Sequence, residues 1–366
     1  MRILMISKAC LVGAYQRKLE EIAKFRDVDL MVAVPPSWKD GSREIHLERA
    51  HTRGYRLVVE PIALNGSFHM HFYPFIGRRL RSFRPDVVHI DEEPYNFATF
   101  HTLRRAERVA ARTLWFSWQN LNRRYPLPFR WMERYCLRHT DHAIVGSEGA
   151  RRVWREKGYE GPLAVIPQFG VDPDMFAPPK EPSSTEAFHV GYVGRLVPEK
   201  GVDLLIEALA GLDGEWTLSI VGAGSQRPAL ESLAQARQVG DRVAFRGLMP
   251  STELPDFYRE LDALVLPSRS RPNWVEQFGR VLIEAMGCGV PVVGAESGEI
   301  PHVIGDAGLT FPEDDVRSLR DRLRLLREDP EQARELGAQG RERVIERFTQ
   351  EQIAAETTAV YREITG

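Results

Sequence analysis

Two glutamates, Glu276 and Glu284, stand in the stretch VEQFGRVLIEAMGCGVPVVGAESGEIP (residues 275–301), with Phe278-Gly279 between them. If the whole interval were helical, the eight-residue step would set both side chains within about 80° of one face and about 12 Å apart along the axis. Carboxylates that far apart cannot share a proton, but they can address two ends of one extended ligand. A helix that begins at Phe278-Gly279 instead leaves Glu276 before it and Glu284 roughly a turn and a half inside. The missing Cβ of Gly279 then lets a phosphate approach the backbone closely. A carboxylate accepts two hydrogen bonds at once, which suits the vicinal hydroxyls of a sugar or a ribose. The plain alternative is that both acids are ordinary residues favoured near a helix start by its dipole.

A second stretch has the same logic. YVGRLVPEKGVDLLIEAL reads as a strand ending at Gly194, then Arg195, Lys200 and Gly201 leading into a helix. Free backbone N–H groups and a partial positive charge at the helix start, with two cations at its mouth, suit a diphosphate. Incidental solvent-facing bases are the competing reading. The segment IVGAGSQRPAL offers Gly222-x-Gly224 but no third glycine, which is weak support for a dinucleotide fingerprint. Asp27-x-Asp29 and Asp172-x-Asp174 lie at a strand start and beside a linker, so neither reads as a metal-diphosphate site. His69 and His71 have the alternation that would put both on one strand face, as a substrate contact or a metal pair. With no acid cluster beside them, an ordinary loop or strand pair is favoured over metal. Cys10, Cys136 and Cys288 are scattered and odd in number, fitting neither a disulfide framework nor a zinc site, and read as reduced small hydrophobes.

The elements that must hold these residues alternate. RILMIS, VDLMVAVP, YRLVVEPI, DVVHID, RTLWFSW and HAIVGS read as buried strands. YQRKLEEIAKF, FATFHTLRRAERVAAR, FRWMERYCLRHT and EGARRVWREKG read as the helices between them. After the Pro/Ser/charged stretch KEPSSTEA the pattern restarts, from FHVGYVGR through VDLLIEALAGL, WTLSIVG, PALESLAQARQVG, RVAFRG, STELPDFYREL, ALVLPS and RVLIEAMGCG to PVVGAE and GLTF. Such alternation means parallel sheets covered on both faces, here two Rossmann-like domains facing across a cleft. The expected boundaries are 1–178 for an acceptor-binding domain, 179–345 for a donor-binding domain, and 346–366 for a terminal helix packing back on the first domain. The tail is helical by spacing, divided at Asp329-Pro330.

Nothing approaches the run of about 18 apolar residues that a membrane span needs. The opening MRILMISKACLVG has too short an apolar run for a secretory segment and no small-residue cleavage site, so a cytoplasmic location is expected. Charge is uneven: up to residue 178 there are 28 Lys and Arg against 20 Asp and Glu, a balance of +8, and thereafter 21 against 31, a balance of −10. The basic clusters GRRLRSFRP, LRRAERVAAR and NRRYPLPFRWMERYCLR all lie in the first half. They suggest an anionic partner, such as a phosphate-bearing acceptor or a membrane surface touched peripherally, with solvated helix faces as the other reading.

GRLVPEKGVDLLIEAL, IVGAGSQRPAL, VAFRGLMPSTELPDFY, LDALVLPS, EQFGRVLIEAMGCGVPVVG and GEIPHVIGDAGLTF, in that order, resemble the retaining, nucleotide-sugar-dependent glycosyltransferases of family four, which have the GT-B fold. HAIVGSEGARRVWREKGYEGPLAVIPQFGVDPDMF carries the likeness back across the linker, while the earlier first half is similar in its strand-helix plan. The resemblance implies that Arg195 and Lys200 hold the donor diphosphate and Glu276 the hydroxyls of the transferred sugar. It further implies that Phe278, Gly279, Arg280 and Val281 offer backbone amides to the phosphates and that Glu284 binds the ribose. Gly194 ends the strand at the donor, Gly247-Leu248-Met249 matches the base-binding turn, and Gly13 matches the glycine where donor and acceptor meet. Many relatives have two glycines in that first loop, where KACLVGAYQ has one, and a histidine where LWFSWQNLNRRYP offers Gln119 and Asn120. These amides, with His69, are the expected acceptor or sugar contacts.

The function so implied is transfer of a sugar from a nucleoside diphosphate sugar to a glycan, lipid-linked or small-molecule acceptor, with retention at the anomeric carbon. No cofactor, no metal and no nucleic-acid partner is expected. A sugar-nucleotide epimerase of the same architecture is the alternative. A nicotinamide dehydrogenase is disfavoured by the incomplete glycine fingerprint, and a silent binding protein by the joint presence of Arg195, Lys200, Glu276 and Glu284.

Overall fold

The computed structural model describes residues 1–41, 43–179 and 187–366, so the linker KEPSSTEA lies, apart from Ala187, outside the described residues. The chain forms two compact units, Met1–Gly170 with Gln350–Gly366, and Val171–Thr349.

In the first unit the chain runs through β1 (Arg2–Ile6), α1 (Arg17–Ala23), β2 (Asp29–Val34), the antiparallel hairpin β3 (Ser37–Asp40) and β4 (Arg43–His46), and β5 (Arg56–Val59). It continues as α2 (Ile76–Phe83), β6 (Val87–Ile90), α3 (Phe97–Ala106), β7 (Arg112–Ser117), α4 (Phe129–His139), β8 (His142–Val145), α5 (Glu148–Glu156) and β9 (Leu163–Val165). The sheet order is β5-β2-β1-β6-β7-β8-β9, all parallel. β1 shows why an apolar run makes such a strand. Its period of two sends Ile3 and Met5 to one face, where Leu19 and Ile22 of α1 meet them, and Leu4 and Ile6 to the other, against Leu80 of α2 and Leu103 of α3. Each fully buried side chain of this size is worth about 1.5–3 kcal/mol.

The second unit holds β10 (Phe188–Val193), α6 (Val202–Ala210), β11 (Trp216–Val221), α7 (Arg227–Ala236), β12 (Val243–Gly247), α8 (Leu254–Arg259) and β13 (Ala263–Leu266). Then come α9 (Arg280–Gly287), β14 (Val292–Ala295), α10 (Ile300–Ile304), β15 (Leu309–Phe311), α11 (Val316–Glu328) and α12 (Pro330–Arg347). Its parallel sheet is ordered β12-β11-β10-β13-β14-β15. The break at Asp329-Pro330 has a local cause: Asp329 caps α12 by accepting from Gln332 N–H at 3.0 Å, and Pro330 occupies the first helical position, where its missing N–H costs nothing. α12 is tied down by Arg341, whose guanidinium donates to the carbonyls of Phe176 and Gly287, both at 2.5 Å.

The last helix, α13 (Gln350–Thr365), belongs to the first unit, where Ile353, Ala354, Val360 and Tyr361 join the α1 face of the core. Tyr361 Oη lies 2.7 Å from His89 Nδ1, both fully enclosed, and burial holds the His89 pKa well below the usual histidine range. The three cysteines are buried thiols. The paired-aspartate motifs are used structurally: Asp27 binds Arg362 at 2.9 Å, Asp29 binds Arg56 at 2.7 Å, and Asp172 Oδ1 accepts from Asp174 N–H at 3.0 Å.

Candidate functional site

The strand order of the second unit reverses between β10 and β13, and a crevice at the carboxyl ends of strands beside such a reversal is where doubly wound sheets hold ligands. Two segments meet there. One leaves β10 through Gly194 and Arg195, makes a 3₁₀ turn over Pro198–Lys200 and enters α6 after Gly201. Gly201 has φ +64°, and a Cβ there would stand 2.0 Å from the Pro267 carbonyl oxygen, so only glycine lets the start of α6 press against the chain leaving β13. The other segment runs from β13 through Ser268 and Glu276 to Gly279, whose φ of +80° turns the chain into α9.

Glu276 therefore lies outside the helix, and its backbone carbonyl is pinned by the Glu299 N–H at 3.2 Å. Its carboxylate is turned toward the first segment: Lys200 Nζ lies 2.5 Å from Glu276 Oε2, and Ser268 Oγ donates to the same oxygen at 2.9 Å. The Lys200 and Glu276 side chains are only 14% and 10% exposed, and the Lys200 ammonium sits 5.0 Å from the centre of the Trp274 ring. A pair this enclosed persists only with good geometry and further hydrogen bonds, which Ser268 helps to supply. Arg195 is 65% exposed, its guanidinium 3.8 Å from Glu199, so it is the more exposed cation of the two.

Glu284 lies inside α9 and is buried. Tyr258 Oη donates to Glu284 Oε2 at 2.9 Å and Arg280 Nε stands 2.8 Å from Oε1. Burial raises its carboxyl pKa, and Arg280 and Tyr258 work against that rise. Phe278 is buried, and its ring packs edge-on against Phe348 at 5.7 Å. Val281 follows Arg280 in the first turn of α9, where backbone N–H groups have no intrahelical partner. β12 ends at Gly247, followed by Leu248, which is 83% exposed, and Met249.

Gly13, His69, Gln119 and Asn120 all belong to the first unit. The N–H of Gly13 donates to Glu48 Oε2 at 2.6 Å, and a Cβ there would meet Ala50 Cβ at 2.7 Å. His69 and His71 are not on one strand face, because a turn reverses the chain: the His71 N–H returns to the Ser67 carbonyl at 3.0 Å. His69 is half-buried among Tyr95, Tyr125 and Phe129, and its pKa is lowered by burial. His71 is fully buried with Nε2 3.5 Å from Glu92 Oε2, so an acid does stand beside one of the pair. Gln119 is buried, its Nε2 donating to the Leu121 carbonyl at 2.9 Å, and Asn120 is half-buried beside it. Among the described residues no group of three or more His, Cys, Asp or Glu side chains is arranged to hold a metal.

The residues overlooked in the sequence lie at the reversal of the first sheet, between β1 and β6. Asp91, Glu92 and Glu93 follow β6. Asp91 accepts from Ser7 Oγ at 2.5 Å and from Gln168 Nε2 at 2.8 Å. Glu92 is ion-paired with Lys8, whose ammonium also faces the rings of Trp38 and Phe68. Glu93 accepts from Ser117 Oγ at 2.5 Å and the Trp118 N–H at 2.8 Å. Burial works to raise the Glu92 carboxyl, but Lys8 and His71 hold it at about 2, whereas burial prevails at Glu93 and lifts it to about 7. Three acids directly after an apolar strand were the available signal.

Residues 14–175 match the model of Glycosyltransferase Family 4, and residues 176–343 match that of Glycosyl transferases group 1. A GDP-mannose-dependent alpha-(1-6)-phosphatidylinositol monomannoside mannosyltransferase of Mycolicibacterium smegmatis is 34% identical over 198 residues, 50% of this chain and 52% of that protein. A D-inositol 3-phosphate glycosyltransferase of Streptomyces bingchenggensis is 32% identical over 63% of this chain and 54% of its own length. The chain thus spans about half the length of the curated relatives it matches. Among solved structures, Anabaena Alr3699/HepE in complex with UDP superposes with a TM-score of 0.77 at 18% identity, over 99% of this chain and 100% of that one. The sucrose-phosphate synthase of Thermosynechococcus elongatus gives 0.73 at 21%, over 100% and 99%. At such identities these likenesses speak for the fold alone.

Proposed function

The chain belongs to the glycosyltransferases of the GT-B fold, and we propose that it moves a sugar from a nucleoside diphosphate sugar to a glycan, lipid-linked or small-molecule acceptor, with retention at the anomeric carbon. The observation that carries this reading is the Lys200–Glu276 pair, enclosed between two glycine-started helices at the reversal of the second sheet. Lys200 and Arg195 supply the positive charge that a departing diphosphate needs, and the first turns of α6 and α9 add free backbone N–H groups. When the diphosphate takes Lys200, the Glu276 carboxylate is released to accept hydrogen bonds from hydroxyls of the transferred sugar. Glu284, held by Tyr258 and Arg280, takes the ribose, and the exposed Leu248 in the turn Gly247-Leu248-Met249 offers an apolar face to the base.

In the reaction so proposed, the bond from the anomeric carbon to the diphosphate oxygen breaks and the bond to the acceptor oxygen forms on the same face. The acceptor proton passes to the leaving phosphate. A preorganised donor to that phosphate is worth about 3–4 kcal/mol in the barrier. His69, Gln119 and Asn120 are proposed as acceptor or sugar contacts and Gly13 as a donor-side glycine. A cytoplasmic location with peripheral contact at an anionic membrane surface belongs to the same proposal; no helix among the described residues is long and apolar enough to cross a membrane.

A thermal-shift screen of nucleoside diphosphates and their sugars tests the reading, because a ligand of the native state raises its melting temperature by mass action. One base should stand out, and no shift with any of them contradicts it. Incubation with the matched donor alone should give at most slow hydrolysis; conversion to an epimeric sugar would instead identify an epimerase.

A further inference from the structure

α4 has two unlike faces, and the outer one gives the peripheral membrane contact proposed above, on which this inference rests, an address in the fold. Met132, Glu133 and Cys136 are buried, and the Glu133 carboxylate is taken by Lys157 Nζ at 2.6 Å. At 100° per residue, Arg130, Arg134, Arg138 and Trp131 fall within an arc of about 100° on the other side. All four are exposed, Trp131 by 52%, and Leu127 just before the helix is 68% exposed. Among the described residues none of the three guanidinium groups has an ion pair or a side-chain hydrogen bond. Trp131 is braced where it stands: its ring centre lies 5.0 Å from that of Phe100 and 6.1 Å from that of Tyr135. Tyr135 in turn stacks on His139 at 3.9 Å and donates to Glu107 at 2.7 Å.

Two properties of this arc select its partner. Three cations side by side, with no acid among the α4 residues of that arc, call for a surface rich in anions. An indole and a leucine held in water beside them call for an apolar layer just behind those anions. A nucleic acid or an acidic protein tail supplies the first and not the second, whereas a bilayer containing anionic lipid supplies both. We propose that the outer arc of α4 docks on an anionic lipid surface. Arg130, Arg134 and Arg138 meet headgroup phosphates, and Trp131 and Leu127 enter the boundary between headgroups and acyl chains.

Flotation of the full chain with vesicles of phosphatidylcholine alone, and of phosphatidylcholine mixed with phosphatidylglycerol, at low and high salt, tests this. The wild type should float with the mixed vesicles only, and less so at high salt. Replacing Arg130, Arg134 and Arg138 together by Gln should lower partitioning about a hundredfold, each basic residue near the surface contributing about fivefold. Trp131→Ala should lower it about tenfold. Both variants should stay folded and keep nucleoside diphosphate binding, since none of these residues belongs to the donor site. If the wild type floats and both variants float equally well, the membrane contact stands but α4 is not its site. If the wild type floats on neither vesicle, both ideas fall. Equal flotation on the neutral vesicles, or tight binding to a random DNA duplex without flotation, overturns the choice of partner.

Discussion

Lys200 Nζ and Glu276 Oε2 lie 2.5 Å apart, and the same carboxylate oxygen takes the Ser268 hydroxyl at 2.9 Å. Each charge at the centre of the proposed donor site is thus matched by the other before any ligand arrives. In the function proposed above, a diphosphate settles on Lys200 in exchange for Glu276. On that proposal the exchange hands the carboxylate to the sugar, and diphosphate binding and hydroxyl recognition are coupled through one ion pair.

Lys200→Ala and Glu276→Ala should each lower the turnover of sugar transfer by about 10²–10³-fold, the scale of losing one preorganised charge in a reaction site. Both should remain folded, because the pair sits at the mouth of the sheet and not within the clusters of apolar side chains. Turnover and melting temperature measured on the same preparations check this; near-wild-type turnover in either variant contradicts the assigned roles.

Gly201→Ala should disturb the same site through the backbone. Its φ of +64° and the 2.0 Å approach of a Cβ to the Pro267 carbonyl oxygen leave no room for a side chain. Stability should fall by about 1–3 kcal/mol, and donor affinity should fall with it as the start of α6 moves from β13. Denaturant unfolding and a donor titration read the two effects; an alanine variant with wild-type values in both would show that the approach is not required.

The two neighbouring acids of the first unit should respond to pH in opposite directions. Glu93, raised by burial to about 7, binds its proton more tightly folded than unfolded. Its contribution is fully present below about pH 4.5 and is lost as pH rises toward 7, by up to about 3 kcal/mol. Glu92, held at about 2 by Lys8 and His71 against the burial that would raise it, contributes stability above about pH 4.5 that is lost as pH falls toward 2. Glu93→Gln should therefore gain stability relative to wild type at pH 8 and little at pH 4.5. Parallel wild-type and variant curves in denaturant unfolding across that interval would contradict the assignment.

Tyr361→Phe removes the partner of His89 Nδ1, which lies 2.7 Å from the phenol oxygen in a fully enclosed contact. An enclosed polar atom left without a partner costs about 1–3 kcal/mol, so the variant should unfold at lower denaturant with the slope unchanged. Identical midpoints would mean that the His89 contact adds nothing to the hold on α13.

Much of this arrangement can be read from residue types. ILMI declares a doubly covered strand because every position is apolar, and Asp329-Pro330 declares a helix boundary because a cap precedes a proline. The glycine before RVLIEAMG marks the start of α9 for the same kind of local reason. The hairpin of β3 and β4 escaped because SWKD and REIH are too polar to stand out, leaving Asp40-Gly41 as its one turn signal. α2 was visible only as charge, its Ile76, Leu80 and Phe83 face hidden among arginines. His69 and His71 alternate as strand residues do, and the alternation alone does not show that the Ser67 carbonyl closes a turn on the His71 N–H. The pairing of Lys8 with Glu92 joins residues 84 positions apart, so it depends on which strands become neighbours and has no local trace.

Calorimetric titration of the matched nucleoside diphosphate into wild type, Lys200→Ala and Glu276→Ala tests the exchange most directly. The account predicts that Lys200→Ala weakens binding about a hundredfold, while Glu276→Ala binds at least as tightly as wild type because the competing carboxylate is gone, although it no longer transfers sugar. Equal weakening in both variants, or none in Lys200→Ala, would contradict it.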